Sequence, residues 1–507
     1  MSVFLRPGVY VQEIERGPRP MEGVSTSTAT FLGETQRGPV WPTLVTSINE
    51  YVRIFGGPVG RNKFMPAAVS GFFENGGRRV YIARIENQAS ATASDIFGSV
   101  KIEASSSGKW GTDNLFVKIS ARNPVVNPID PFRIQVWNWS VAPNPVFDPS
   151  IPANALNPKR PSFIEDFDSV NCDPTSPDYF VTRLRASQFL KGTDLTAVAA
   201  PIAFAPPQPG AQALPGGTSV PVTDNDYDGQ FLPAGPSGLA ALQLDEFRFV
   251  SLVYAPDASG VVQDKVLTHC ENNRFRFAVI DAAKHDPASN VGGKKPRSSD
   301  YGAFYFPWIK TNNSITGVQE LVPPGGHVVG IYARSDSERG VFKAPANEIV
   351  RGAFDIEFNI DDATHDVLNP LGVNVIRKFP GRGNVLWGAR TLSSNSLWRY
   401  ISVRRLFIFL EQSIYENTQW VVFEPNDERL WARVKDTIRI FLRSQWRQGA
   451  MMGDTEDKAF TIACDRTTMT QDDILNGRLI CEIGIAPVRP AEFVVFRIFQ
   501  NTSESQK

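Results

Sequence analysis

Four cysteines and four histidines are the residues of this chain best suited to nucleophilic or metal chemistry, and their spacing argues against both. Cys172, Cys270, Cys464 and Cys481 form no Cys-x-x-Cys pair, so neither a zinc ribbon nor a thioredoxin-like site is expected. They read as reduced structural thiols. His269, His285, His327 and His365 lack the His-Glu-x-x-His spacing of a helical zinc site. His269 and Cys270 are neighbours, but adjacent helix positions point about 100° apart and cannot easily share a proton. Asp224, Asp226, Asp228 and Gly229 match the start of an EF-hand loop, yet its twelfth position is Gly235 rather than a bidentate Glu, so a polar turn is expected. There is no Gly-x-x-x-x-Gly-Lys-Ser/Thr loop, and the glycines of 381–388 are wrongly spaced for a dinucleotide. Gly235-Pro236-Ser237-Gly238 is not a Gly-x-Ser-x-Gly nucleophile elbow. Asp361 and Asp362 are paired carboxylates with no sign of a cleft around them. No catalytic residue, cofactor or metal site is expected, and the chain reads as a non-enzyme.

The scaffold is large. At 507 residues the chain exceeds one ordinary core, and two to four structural units are expected. Lys+Arg is 52 and Asp+Glu 53, so the net charge of -1 gives no global pull toward nucleic acid or an anionic membrane. No apolar run reaches the roughly 18 residues that span a bilayer, and the first residues lack the pattern of a signal peptide. Assembly in a cytoplasm, without membrane insertion and without a nucleic-acid partner, is the expectation.

Residues 9–14 alternate like a short strand, and Gly17-Pro18-Arg19-Pro20 then forbids a helix, so the N-terminus reads as an extended arm. The spacing predicts a strand over 29–33, a helix from a Ser47 cap to Phe55, a helix over 65–74 and a strand over 79–84. Half of the 38 prolines then fall within 121–238, which excludes long helices and predicts a loop-rich β insertion at the surface. A strand over 247–254, a helix near 258–272 and a strand over 275–280 make a βαβ unit, which implies a parallel sheet covered by helices.

The last third is more specific. Residues 396–415 predict a helix apolar nearly all round, as in a core or an assembly. The next helix is expected from an Asn426 cap to about Gln448. Leu430, Trp431, Val434, Ile438, Phe441 and Leu442 fall on one face; Arg429, Arg433, Lys435, Arg439, Arg443 and Arg447 fall on the other, with Ile440 as the exception. Such a face is either solvated or a surface for an acidic partner. Phe493, Val494, Val495, Phe496, Ile498 and Phe499 predict a strand apolar on both sides, which must pair within its own domain or add to a neighbouring chain.

Several segments together resemble contractile tail sheath proteins. They are Pro7-Gly8-Val9-Tyr10-Val11-Gln12-Glu13, Gly23-Val24-Ser25-Thr26-Ser27, Phe31-Leu32-Gly33, Phe55-Gly56-Gly57 and Phe72-Phe73-Glu74-Asn75-Gly76-Gly77. Later come Asp226-Tyr227-Asp228-Gly229, Gly238-Leu239, Tyr254-Ala255-Pro256-Asp257, Pro323-Pro324-Gly325-Gly326, and Gly381-Arg382-Gly383 with the run Val385 to Leu392. Their order and spacing cover residues 1–85 and about 225–507, and nothing comparable covers 86–224.

The resemblance implies a structural subunit. Six-subunit rings would stack helically around an inner tube and contract on a baseplate signal, driving the tube through a target envelope. Further copies of this chain, the inner tube protein, and baseplate and terminal cap proteins would be its partners, in a phage tail or a phage-tail-like injection particle. Val9, Tyr10, Val11 and Ile14 in one arm, and Phe493, Val495, Phe496 and Ile498 in the other, would be linking strands between subunits. The basic face from Arg429 to Arg447 would contact the tube. Subunits would move as rigid bodies joined by their arms. The fold implied is an α/β and α+β multidomain protein, a tail-sheath-like trunk with a β-rich outer insertion. Its parts would be a linking arm at 1–22, an α/β sheath domain at 23–85 plus 225–370, an outer insertion at 86–224, and an inner α+β domain at 371–507. The alternative reading is a surface-displayed binding module acting through 86–224.

Overall fold

The computed structural model describes residues 21–497, apart from 61, 122–124, 126, 142, 144–146, 155–156, 196–210 and 233–234. It separates into two compact units: Ser25–Arg404, and a second built from Arg405 onward together with the chain up to Val24.

The first unit is organised by a nine-stranded sheet. In chain order its strands are β1 (Ala29–Gly33), β2 (Thr43–Val45), β3 (Val80–Arg84), β4 (Leu252–Tyr254), β5 (Phe277–Asp281), β6 (Gly302–Phe306), β7 (Glu348–Ile349), β8 (Val373–Phe379) and β9 (Gly383–Leu386). Their order across the sheet is β7-β9-β8-β6-β5-β4-β1-β3-β2. The six strands from β8 to β3 run parallel, while β2, β9 and β7 add antiparallel edges. Parallel strands need crossovers, and the crossovers cover both faces. This is why β1, β4, β5 and β6 are buried along their whole length and read as apolar runs.

The helices lie close to expectation: α1 (Ile48–Phe55), whose Ser47 cap accepts from Glu50 N, α2 (Met65–Glu74) and α3 (Gly260–Asn273). A further helix, α4 (Gly325–Arg339), packs on α2 through glycines. A Cβ on Gly326 would stand 2.5 Å from the Ala68 backbone, and one on Gly330 would stand 2.5 Å from Phe72 O. The His327 ring occupies the space beside Gly71. At the start of α4, Asp281 accepts from Gly325 N at 2.7 Å and from the Tyr254 hydroxyl at 2.6 Å. A carboxylate suits the partial positive charge of a helix N-terminus.

The strand expected over 247–254 is shorter than its composition suggests. Asp245–Phe247 winds into a 3-10 turn instead. The buried Arg276 guanidinium donates to the carbonyls of Phe247 and Val250, which takes those groups out of any ladder.

Between Ala91 and Thr218 the described residues build two antiparallel sheets. One joins Ser94–Phe97, Val100–Ala104 and Leu190–Asp194; the other joins Gln212–Ala213, Leu115–Ser120, Phe132–Asn138 and Phe163–Val170. They enclose their own core, which includes Trp110, Val117, Ile134, Val136, Phe180 and Phe189. Both ends of this segment meet at a neck, where Ala91 bridges Thr218. Arg37, from the loop after β1, is buried and sits 5.0 Å from the Phe189 ring centre and 5.7 Å from that of Phe163. It also donates to Asn138 Oδ1 and to the carbonyls of Val52 and Arg53.

The domain boundary expected at residue 371 is corrected. β8 pairs with β6, and β9 pairs with β8, so 371–404 belongs with the large sheet, and the second unit begins at Arg405.

Candidate functional site

The calcium-like segment is a polar turn. Thr223 caps the turn Asp224–Tyr227, and the Asp226 carboxylate accepts from Thr223 N at 2.7 Å. Asp228 pairs with Lys265 at 2.6 Å. Asp224 Oδ1 accepts from the Ser259 hydroxyl at 2.8 Å, so each of the three carboxylates already has a protein partner. His269 and Cys270 do not face one another: His269 Nε2 lies 2.6 Å from the Arg276 guanidinium, and Cys270 is buried in the core under β4 and β5. No cluster of three or more His, Cys, Asp or Glu able to hold a metal ion is found among the described residues. No helix there is long and apolar enough to cross a membrane.

The features that could bind a partner lie in the second unit. Helix α5 (Ile401–Asn417) begins five residues later than its apolar pattern suggests, because Tyr400 bridges Arg390 and Thr391 N donates to Arg399 O. Beyond Arg404 its Arg405, Leu406, Ile408, Leu410, Gln412 and Ser413 are all buried. The first described residues of the chain run along this helix. Val24 N donates to Ser413 Oγ at 3.2 Å, and the Glu22 backbone exchanges hydrogen bonds with the Asn417 amide. Gly23 is needed there, since a Cβ would approach the Phe409 ring to 2.8 Å. Val9, Tyr10, Val11 and Ile14 lie outside the described residues.

Helix α6 spans Glu428–Arg447 and buries Leu430, Trp431, Val434, Ile438, Phe441 and Leu442, the face read from the sequence. Its cap is Asp427, which accepts from Leu430 N, rather than Asn426. Asn426 Oδ1 accepts from the Trp431 indole at 2.7 Å instead.

The six cations of α6 are not equivalent. Arg439 and Arg443 share Glu456, at 3.3 and 2.6 Å. The Arg433 guanidinium stacks 4.6 Å from the Trp420 ring centre, with Glu424 4.0 Å away. Lys435, half-buried at the flank of the row, acts electrostatically on Cys464 and Cys481. Arg429 and Arg447 are exposed and make no ion pair among the described residues. With Ile440, 48% exposed, these two mark the part of the face still open to a partner.

After α6 the chain forms a two-stranded antiparallel sheet, β10 (Phe460–Ala463) with β11 (Glu482–Ile485). A two-stranded sheet leaves backbone donors and acceptors on its outer edges, which can template a further strand. Pro487 bridges Met451, and Val488 N donates to Ala450 O at 3.2 Å. The part of the expected terminal strand that is described, 493–497, joins no sheet among the described residues. Phe493, Val494, Val495 and Phe496 are 73%, 67%, 77% and 85% exposed. Ile498 lies outside the described residues. An apolar run that cannot cover both of its faces within its own unit remains bare until something else covers it.

Comparison with known proteins agrees with this arrangement. Residues 222–392 match the phage tail sheath protein central domain, and residues 393–501 match the phage tail sheath C-terminal domain. A prophage major tail sheath protein of Pseudomonas aeruginosa (strain UCBPP-PA14) is 26% identical over 274 residues, which is 52% of this chain and 68% of that protein. The tail sheath protein of Vibrio phage KVP40 is 25% identical over 188 residues, 36% of this chain and 27% of that longer protein. Among solved structures, the PVC sheath complex of an extracellular contractile injection system, in its contracted state, superposes with a TM-score of 0.59 at 21% identity, covering 99% of this chain and 100% of that one. The contracted helical sheath of the anti-feeding prophage gives a TM-score of 0.58 at 23% identity, covering 98% of this chain and 100% of that one. With its two matched domains side by side from residue 222 to residue 501, the chain belongs to the contractile tail sheath family and is a structural, non-enzymatic subunit of a phage tail or phage-tail-like particle.

Proposed function

We propose that this chain polymerises into a helical sheath of stacked six-subunit rings around an inner tube, and that contraction of the sheath drives the tube through a target envelope. The observation that carries the reading is the exposed run from Phe493 to Phe496, on a unit whose sheet β10–β11 has two strands among the described residues. Each of these features is incomplete alone, and each supplies what the other lacks. A neighbour's terminal segment, or its N-terminal arm with Val9, Tyr10, Val11 and Ile14, would add strands to that sheet. The main-chain bonds would give affinity, and the alternating side chains would fix register.

In this reading the second unit faces the tube through Arg429 and Arg447, with Arg433, Lys435, Arg439 and Arg443 behind them, and the segment 86–224 points outward. The baseplate and a terminal cap protein would close the two ends of the polymer, and assembly would take place in the bacterial cytoplasm. The solved relatives support the reading, since they include a contracted helical sheath and a baseplate of the anti-feeding prophage. Negative-stain microscopy of the protein alone and with its tube protein tests it. Long hollow tubes are expected, and monodisperse monomers under both conditions would overturn it.

A further inference from the structure

The hairpin of β10 and β11 sets two cysteines opposite one another. Its register pairs Phe460 with Ile485, Thr461 with Gly484, Ile462 with Ile483 and Ala463 with Glu482. The next rung is Cys464 with Cys481. Ala486 N donates to Ala459 O at 2.9 Å, which makes 459/486 a hydrogen-bonded pair. Antiparallel rungs alternate, so the rung of the cysteines is a non-hydrogen-bonded one, where Cα atoms approach to about 4.5 Å. That lies within the roughly 4.4–6.8 Å range across disulfides. Both thiols are free. Cys464 is buried while Cys481 is partly exposed. The two adjacent thiols and the nearby Lys435 ammonium together favour one thiolate on the pair, the form that exchanges.

We propose that Cys464 and Cys481 are a cross-strand disulfide site, closed by exchange with an external small-molecule disulfide such as oxidised glutathione, and that the bond staples β10 to β11. The partly exposed Cys481 exchanges first, forming a mixed disulfide and releasing one glutathione thiol. Cys464 then attacks the Cys481 sulfur and releases the second. The two protein thiols lose two electrons and two protons, the external disulfide gains both, and one S–S bond replaces another. The staple would close when a particle leaves a reducing compartment for an oxidising one. It would fix the hairpin from which the exposed C-terminal run departs. The inference rests on the hairpin's register alone and is independent of the sheath reading.

The test uses the full-length protein, purified reduced and incubated folded in a glutathione buffer poised toward the oxidised form. Free thiols are then alkylated under denaturing conditions and the peptides mapped by mass. One intramolecular link between Cys464 and Cys481 is expected, with Cys172 and Cys270 alkylated. The thermal midpoint should rise by roughly 5–10 °C on oxidation, reversibly with reductant. Cys464→Ser, and separately Cys481→Ser, should remove both the link and the shift. Lys435→Met should slow closure severalfold without preventing it. Four free thiols in the folded protein at that poise, or a link from Cys481 to another chain, would overturn the proposal.

Discussion

Replacing Phe493 and Phe496 together by alanine should cripple polymerisation and leave the monomer untouched. The two side chains are 73% and 85% exposed in the single chain. Fully burying a phenylalanine is worth about 1.5–3 kcal/mol. Scaled by the exposed fractions, burial of both against a neighbour contributes about 2.5–4.5 kcal/mol per junction. At about 1.4 kcal/mol per tenfold, the double variant should need roughly 10²–10³ times more protein to assemble. The cost of immobilising a subunit is common to both proteins and cancels in the comparison. The assay is sedimentation of sheath polymer across a concentration series, paired with a thermal melt of the unassembled protein. The melt should not move, because the deleted rings touch little within their own chain. Polymer at the wild-type concentration would refute the linking role. A midpoint lowered by several degrees would show that the run packs on its own unit, and would refute the premise.

Three further outcomes follow from the same structure. Arg429→Glu with Arg447→Glu should weaken co-sedimentation with the tube protein at low salt, the difference shrinking as salt rises; equal binding at low salt would exclude these residues from the contact. Reversal at Arg443 is a poorer probe, since it first sets two carboxylates together at Glu456. Gly326→Ala should cost about 2–4 kcal/mol in the melt, because its Cβ meets the Ala68 backbone at 2.5 Å, whereas Gly260→Ala, with open space around it, should be nearly silent. Burial holds His327 neutral by lowering its pKa to about 4, while the unfolded chain takes up that proton below about 6.5. The stability it confers is therefore present above about pH 6.5 and lost as pH falls toward 4, by up to about 1.4 kcal/mol per pH unit. Burial lowers His269 to about 3 and adds a loss of the same sign, while it raises the Asp281 carboxyl to about 7, which works in the opposite direction. The readout is thus the change of slope between pH 7 and 5 in His327→Gln, which should flatten; an unaltered slope would refute the assignment.

Local patterns in the sequence carried most of the elements. Ser47 before an amphipathic run is a cap with its own acceptor, and the apolar face of α6 follows from an angle of about 100° per residue. What depends on pairing was hidden. β8 and β9 look like the start of a new domain until β6 is seen beside them. Helical angle separated the basic row of α6 from its apolar face, but it could not show that Glu456, from beyond the helix, engages two members of that row. Asn426 and Asp427 are both good caps by type, and only the indole of Trp431 decides between them. The facing of Cys464 and Cys481 needed the register of a hairpin whose strands stand far apart in sequence. Arg37, a lone cation in a loop, carried no pattern, and its aromatic and amide partners all come from elsewhere in the chain.

That arginine limits how freely the segment 86–224 can be exchanged. The neck at Ala91 and Thr218 brings entry and exit together, so a short connector could close the gap at little entropic cost. By that geometry the segment is a cassette, replaceable by a tag, a reporter or another binding fold. But Arg37 belongs to the scaffold that would remain, and burial already lowers its pKa to about 10 even among its present partners. Excision would remove the Phe163 and Phe189 rings and the Asn138 amide, leaving a cation shaped for a socket that is gone. A grafted module would therefore need either to rebuild an aromatic socket at its base or to travel with a neutral residue at position 37.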